Sequence, residues 1–282
     1  MRLRLLAVLS LGALLVGACS SGAAPITGGA TSPPSAATTG SGDASAPGPH
    51  VIRVAAAADL RYAMEELIAA YGRINPATRI DVTYGSSGTF FMQLQNGAPF
   101  DVYFSADIAY PRQLSEAGLA VSAPRPYAIG KIVLWVPMGS PIDVEHKGMA
   151  ALLDPAAQKV AIADPAHAPY GKAAVAAMER AGLYDQVKDR LVLGENISQA
   201  AQFVQSGAAD IGVVALSLAV APPMKSSGRY WSIPADLYPA ISQGALVLKA
   251  AQDPAAATQF LDFVLGTSGR LVLDRFGFEL PQ

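Results

Sequence analysis

The sequence predicts an α/β protein of two lobes with a cleft between them, carried behind a long N-terminal leader. Three observations point there. From Val51 onward, short apolar strands alternate with amphipathic helical stretches, the signature of strand–helix units. The alternation runs into a longer apolar strand, "YAIGKIVLWVP" at 127–137, and then restarts, as a second lobe would. A late strand followed by two terminal helices is then available to return to the first lobe.

Each element follows from its pattern. "VIRVAAAA" (51–58) reads as a buried strand, and 59–72 as a helix with Leu60, Met64, Leu67, Ile68 and Tyr71 on one face. "RIDVTYG" (79–85) alternates as a strand, 89–95 is a short helix ended by Gly97, "DVYFSA" (101–106) is a third strand, and 108–117 is a helix closed by Gly118. Three such units in succession imply a parallel, doubly wound sheet. After 127–137 come a strand "KVAIAD" (159–164), helices at 172–181 and 197–205, and strands "ADIGVVAL" (209–216) and "GALVLKA" (244–250). Helices at 255–265 and 268–276 close the chain, and "RYW" (229–231) reads as packing near the hinge. In open α/β sheets ligands bind outside the carboxyl ends of the strands, where helix N-termini offer free N–H groups and a partial positive charge.

The 282 residues suffice for two modest domains. Half the chain (51%) is apolar and 15% is charged, which is rich in core material but short of a membrane protein. The formal net charge is −2, or −4 once Arg2 and Arg4 are removed with the leader, and no basic run is interleaved with aromatics, so no nucleic-acid surface is expected. Two arginines precede an apolar run at 5–18 that is too short to span a bilayer and reads as a secretory signal. It ends in "LLVGACSS", where Val16-Gly17-Ala18-Cys19 has the form of a bacterial lipobox, with Cys19 the lipidated residue. Cys19 is the only cysteine, so no disulfide forms within the chain. Apart from Ile26, residues 20–49 are Gly, Ser, Thr, Pro and Ala with a single charge, Asp43, a composition that reads as a disordered tether.

Catalytic signatures are sparse. "YGSSGT" lacks the G-x-S-x-G spacing of a nucleophile elbow, and no H-E-x-x-H, cysteine cluster or P-loop occurs. The three histidines are His50, His146 and His167, the last in the loop "DPAHAPYG", where a satisfied loop histidine is expected. Asp107 and Asp164 read as turn caps.

"VAAAADL", "YGSSGTFFMQLQNGAPFDVYFSAD", "AIADPAHAPYG", "ADIGVVALSLA" and "RFGFEL" follow one another in the order and spacing of bacterial periplasmic molybdate-binding proteins, and the chain resembles that family from about Val51 to Leu280. The resemblance implies a two-lobed type II periplasmic binding protein fold with a hinge and an interlobe cleft. It also implies a tetrahedral oxyanion held by serine-bearing turns of the first lobe and by backbone N–H groups and a tyrosine hydroxyl of the second, without a counter-cation. On that basis Ser86 and Ser87 form the second serine turn, with Ser87 in the liganding position. Tyr170 falls where the family has a small residue donating its backbone N–H, and Ile197 falls on another backbone donor. Two positions depart: the first serine is Asp59 here, and the second-lobe tyrosine is Ala215. The phenol of Tyr170 is a candidate to replace the one lost at Ala215.

Asp59 has two readings. As a helix N-cap its carboxylate accepts the N–H of Arg61 or Tyr62. As a member of the cleft wall it brings a negative charge to an anion site, where two unit charges 4 Å apart repel by roughly 4 kcal/mol at an effective dielectric near 20. Protonation, a nearby cation (Arg61 or Lys172), or direct binding of the solute's centre would resolve the conflict.

The expected organisation is a signal peptide (1–18), a lipidated Cys19 and tether (19–49), a first lobe (50–130 with 246–282) and a second lobe (131–245). The expected function is an extracytoplasmic, lipid-anchored solute-binding protein of an ABC importer. It would act as a monomer, without cofactor, delivering molybdate or a related oxyanion such as tungstate to an inner-membrane permease. Two alternatives stand beside it: the same fold turned through Asp59 to a metal ion, metal chelate or cationic small molecule, and an extracytoplasmic enzyme using Asp59 as a base.

Overall fold

The structure is a computed structural model that describes residues 50–281; the signal peptide, Cys19 and the tether lie outside the described residues. The first part of the chain runs β1 (His50–Ala57), a 3₁₀ turn (Ala58–Leu60), α1 (Arg61–Ile74), β2 (Thr78–Gly85), α2 (Ser87–Gln95), β3 (Val102–Ser105), α3 (Ala109–Glu116) and β4 (Arg125–Gly130). The middle runs β5 (Ile132–Pro137), α4 (Val144–Lys147), β6 (Val160–Ala163), α5 (Pro169–Arg180), α6 (Tyr184–Val187), β7 (Leu191–Gly194), α7 (Ile197–Gln205), β8 (Ile211–Ala215), α8 (Leu216–Ala219), α9 (Pro222–Lys225) and β9 (Gly228–Ser232). The last part is β10 (Ile241–Val247), α10 (Pro254–Leu265) and α11 (Thr267–Arg275).

Two five-stranded sheets result, ordered β2-β1-β3-β10-β4 and β7-β6-β8-β5-β9, and each is the centre of one lobe. The purely parallel sheet expected for the first lobe is not formed. β1 runs parallel to β2 and β3, but β10 is antiparallel to both β3 and β4. An antiparallel strand arises because the chain re-enters this sheet from the other lobe rather than over a crossover helix.

The apolar stretch 127–137 is not one strand. It breaks at Lys131, with β4 in the first sheet and β5 in the second. The return is also earlier than the expected division at 246. Ile241 and Gln243 already pair with Gly130 and Ala128, so the chain rejoins the first sheet at Ile241. "RYW", expected as packing, is part of β9, which pairs with β5.

Each lobe has its own core. In the first, the apolar face of α1 buries Met64, Leu67 and Tyr71 against the sheet and α10, with Tyr71 edge-on to Phe260 at 5.2 Å between ring centroids. In the second, Trp135 is fully buried on the face of the sheet that it shares with Gly212, its partner on β8. Gly228 makes room for it, since a Cβ there would lie 2.1 Å from the indole. Among the described residues no helix is long and apolar enough to cross a membrane.

Candidate functional site

The carboxyl ends of β1 and β2 meet the N-termini of α2, α5 and α7 where the two lobes face each other. Between them lies a small cavity, lined by Ala57, Ala58, Asp59, Gly85, Ser86, Ser87 and Ala106 from the first lobe and by Ala168, Pro169, Tyr170, Asn196 and Ile197 from the second. Three helix starts thus converge on one space. The first N–H groups of a helix have no intrahelical partner, so those of Ser87, Tyr170 and Ile197 are of the kind that receives an anion.

The serine turn is built as a donor. Ser86 takes the N-cap position of α2 by its backbone, but its hydroxyl makes no cap and instead donates to the carbonyl of His167 in the other lobe at 2.5 Å. Ser87 Oγ accepts the N–H of Ala106 at 2.9 Å, which leaves its own proton to donate. Asn196 caps α7 by accepting the N–H groups of Ser198 and Gln199, so the N–H of Ile197 is not taken by the cap.

Asp59 does not cap α1. It lies inside the 3₁₀ turn, no side-chain cap bond forms, and the N–H of Arg61 goes to the carbonyl of Ala58. Its carboxylate turns inward instead, with the residue 1% exposed. Oδ2 accepts from the Tyr170 hydroxyl at 2.8 Å and from Gln243 Nε2 at 2.7 Å. Gln243 also donates to the Tyr170 oxygen at 3.0 Å and accepts from the Tyr127 hydroxyl at 2.5 Å. Oδ1 is buried with no partner. Burial pushes the Asp59 pKa up to about 6, and the hydrogen bonds from Gln243 and Tyr170, with the backbone N–H groups of Asp59 and Leu60 nearby, only partly oppose it. Burial, with the Asp59 charge beside them, also holds the phenols of Tyr170 and Tyr127 well above their usual range, so both remain donors.

Neither candidate cation reaches Asp59. Arg61 lies over the ring of Tyr84, 6.0 Å from its centroid, and Lys172 contacts Tyr110, with Nζ 3.2 Å from the hydroxyl. Among the described residues Asp59 takes part in no salt bridge, and no group of three His, Cys, Asp or Glu lies together as a metal site. Asp107 and Asp164 do cap turns, accepting the N–H groups of Ala109 and Ala166.

Ala215 is not brought to the cavity. It ends β8, fully buried and paired with Ile132. Two residues on, Ser217 donates to the backbone carbonyl of Asp59 at 2.7 Å, and Ser198 donates to that of Ala58 at 2.8 Å. On the opposite side of the cavity, Gly88 N–H joins Ser86 on the His167 carbonyl at 2.9 Å. The lobes therefore touch through direct hydrogen bonds on both flanks of the cavity. The sequence reading missed Ser198, Ser217, Tyr127 and Gln243. None of them left a local signal, Gln243 standing beside Ser242 just outside the apolar run expected as a strand at 244–250. Gly130 makes the network possible, since a Cβ there would fall 2.2 Å from the Tyr170 hydroxyl.

The profile of the bacterial extracellular solute-binding protein family matches residues 52–279. The chain is similar to the molybdate-binding protein ModA of Rhodobacter capsulatus (40% identical over 200 residues, 71% of this chain and 77% of that one). It is also similar to ModA of Azotobacter vinelandii (36% over 230 residues, 81% and 90%). The solved structure of the Azotobacter vinelandii periplasmic molybdate-binding protein superposes with a TM-score of 0.76 at 32% identity, covering 82% of this chain and all of that one.

Proposed function

This chain belongs to the bacterial extracellular solute-binding proteins, in the branch of the molybdate-binding proteins, and on that premise we propose that it captures molybdate, or the closely similar tungstate, in the cavity between its lobes. The observation that carries the reading is the cavity itself: three helix N-termini and a free serine proton face one small space whose lining, among the described residues, holds no cation. Such a cage desolvates a tetrahedral anion with dipoles rather than a buried counter-charge. Ser87 supplies a hydroxyl, Tyr170 and Ile197 supply backbone N–H groups, and Ser86 ties the anion-facing turn to the second lobe.

The relatives are solute-binding proteins, and this chain is one, not an enzyme. Its finer setting belongs to the proposal: secretion behind residues 1–18, lipidation at Cys19, a tether to 49, and delivery as a monomer to an ABC permease of the inner membrane. One observation favours a second reading. The unpartnered Oδ1 of Asp59 is an acceptor, which a metal chelate or a cationic solute would satisfy directly.

A thermal-shift titration separates the two. Ligand that binds only the folded state stabilises it by about 2.7 kcal/mol at one hundred times Kd. Molybdate and tungstate are expected to raise the melting temperature. A shift with metal ions or organic cations, and none with any oxyanion, would transfer the site to the second reading.

A further inference from the structure

A carboxylate with a free oxygen is an unusual wall for an anion cage, and its surroundings limit what it can do. Among the described residues every group that faces Asp59 is neutral. Tyr170 comes from α5 and Gln243 from β10, with Tyr127 of β4 behind it. Ser217 of α8 holds the Asp59 carbonyl, and Ser198 of α7 holds that of Ala58. From α2, Ser86 and Ser87 line the same cavity. The nearest candidate cations are engaged elsewhere, Arg61 at Tyr84 and Lys172 at Tyr110, and the side chain of His167 is exposed. Oδ2 already accepts two hydrogen bonds, so a proton on this carboxyl belongs on Oδ1.

We infer that Asp59 makes solute capture proton-linked: the filled site holds one proton, shared between Oδ1 and an oxygen of the anion, and the protein takes it up on binding. An ionised Oδ1 would present a lone pair to the anion, whereas a protonated one donates to it. The free site already holds this proton more firmly than an ordinary carboxyl, and an incoming anion raises that hold further. Hydrogen bonds to an oxyanion strengthen with the basicity of its oxygens. Asp59 therefore also ranks solutes, favouring molybdate and tungstate over sulfate, the conjugate base of a stronger acid.

The inference rests on the oxyanion reading above, and one experiment distinguishes the failure of each. Isothermal titration calorimetry with molybdate and with sulfate, at pH 5.5, 6.5 and 7.5, is run in pairs of buffers with different ionisation heats, on the wild type and on Asp59→Asn. The wild type is expected to take up close to one proton at pH 7.5 and much less at 5.5, with Kd weakening roughly tenfold per pH unit above about 6. In Asp59→Asn the amide nitrogen replaces the protonated oxygen as donor. Proton uptake then vanishes, Kd stays flat with pH, and the preference for molybdate over sulfate narrows. Tight molybdate binding by the wild type with no proton uptake and a flat pH profile overturns the inference and leaves the oxyanion function standing. Unchanged uptake in a folded Asp59→Asn overturns it too, by assigning the proton to another group. Failure of the wild type to bind any oxyanion at any pH removes both.

Discussion

The two flanks of the cavity close by different chemistry. On the β1 side, three donors of the second lobe, the hydroxyls of Ser198, Ser217 and Tyr170, reach three acceptors of the first: the carbonyls of Ala58 and Asp59 and the Asp59 carboxylate. On the α2 side the direction reverses, and two donors of the first lobe, Ser86 Oγ and Gly88 N–H, converge on one carbonyl of the second, that of His167. The first seam contains a titratable acceptor and the second contains none. Closure is therefore expected to respond to pH at the first seam and not at the second, although residues of both line the cavity.

The largest expected effect breaks the indifferent seam. A Cβ at Gly88 would lie 2.6 Å from the His167 carbonyl oxygen, a backbone atom that cannot swing aside. Gly88→Ala is expected to leave both lobes folded and to weaken molybdate binding by about 2–3 kcal/mol, roughly 30- to 150-fold, read by calorimetry. An unchanged Kd would mean that the α2 seam contributes nothing to the closed state.

The next effect isolates the sensitive seam without ligand. The folded-state pKa of Asp59 is raised from 3.8 to about 6, so the native state binds more protons than the unfolded chain between those values. Stability linked to this group is complete below 3.8, falls as pH rises to about 6, and stays low above it. Asp59→Asn escapes that loss. It is expected to unfold with a free energy higher than wild type by roughly 2 kcal/mol at pH 7.5 and by little at pH 4, in urea titrations at both values.

Smaller changes sharpen the same comparison. Tyr170→Phe removes one of the two donors to Oδ2 and is expected to weaken molybdate binding by about 1–2 kcal/mol, with a further rise in the pH at which binding fades. Full retention of affinity would exclude the phenol from the site. Ser217→Ala leaves the Asp59 carbonyl without its cross-lobe donor and is expected to weaken binding by about 1 kcal/mol, roughly fivefold, equally at pH 5.5 and 7.5.

How much of this could be read in advance varies by residue. Asp59 stands out because the alternation of strand and helix puts it at a junction, and Ser87 because a serine turn precedes a helix. Both signals are local. The role of Asp59 was not legible, since the cap and the buried carboxylate differ only in where the side chain turns, and that is decided by Tyr170 and Gln243, 111 and 184 positions away. Gln243 fell just outside the expected strand at 244–250. The apolar run Gly244–Val247 is only the second half of β10, and the first half looks like loop until β4 is seen beside it. The break at Lys131 left no mark either, because both halves of 127–137 are apolar strands and period alone does not say to which sheet a strand belongs.

That break has a mechanical consequence. Among the described residues the chain passes between the sheets twice, through the single residue Lys131 and through 233–240. A strap one residue long cannot stretch, so the lobes cannot drift apart; they can only swing. Each jaw then meets the other as a tethered partner at a high effective concentration, and most of the entropy of bringing them together is already settled by the covalent chain. Closing them then draws on only the few hydrogen bonds of the two seams, and a proton gained or lost at Asp59 falls on one of these.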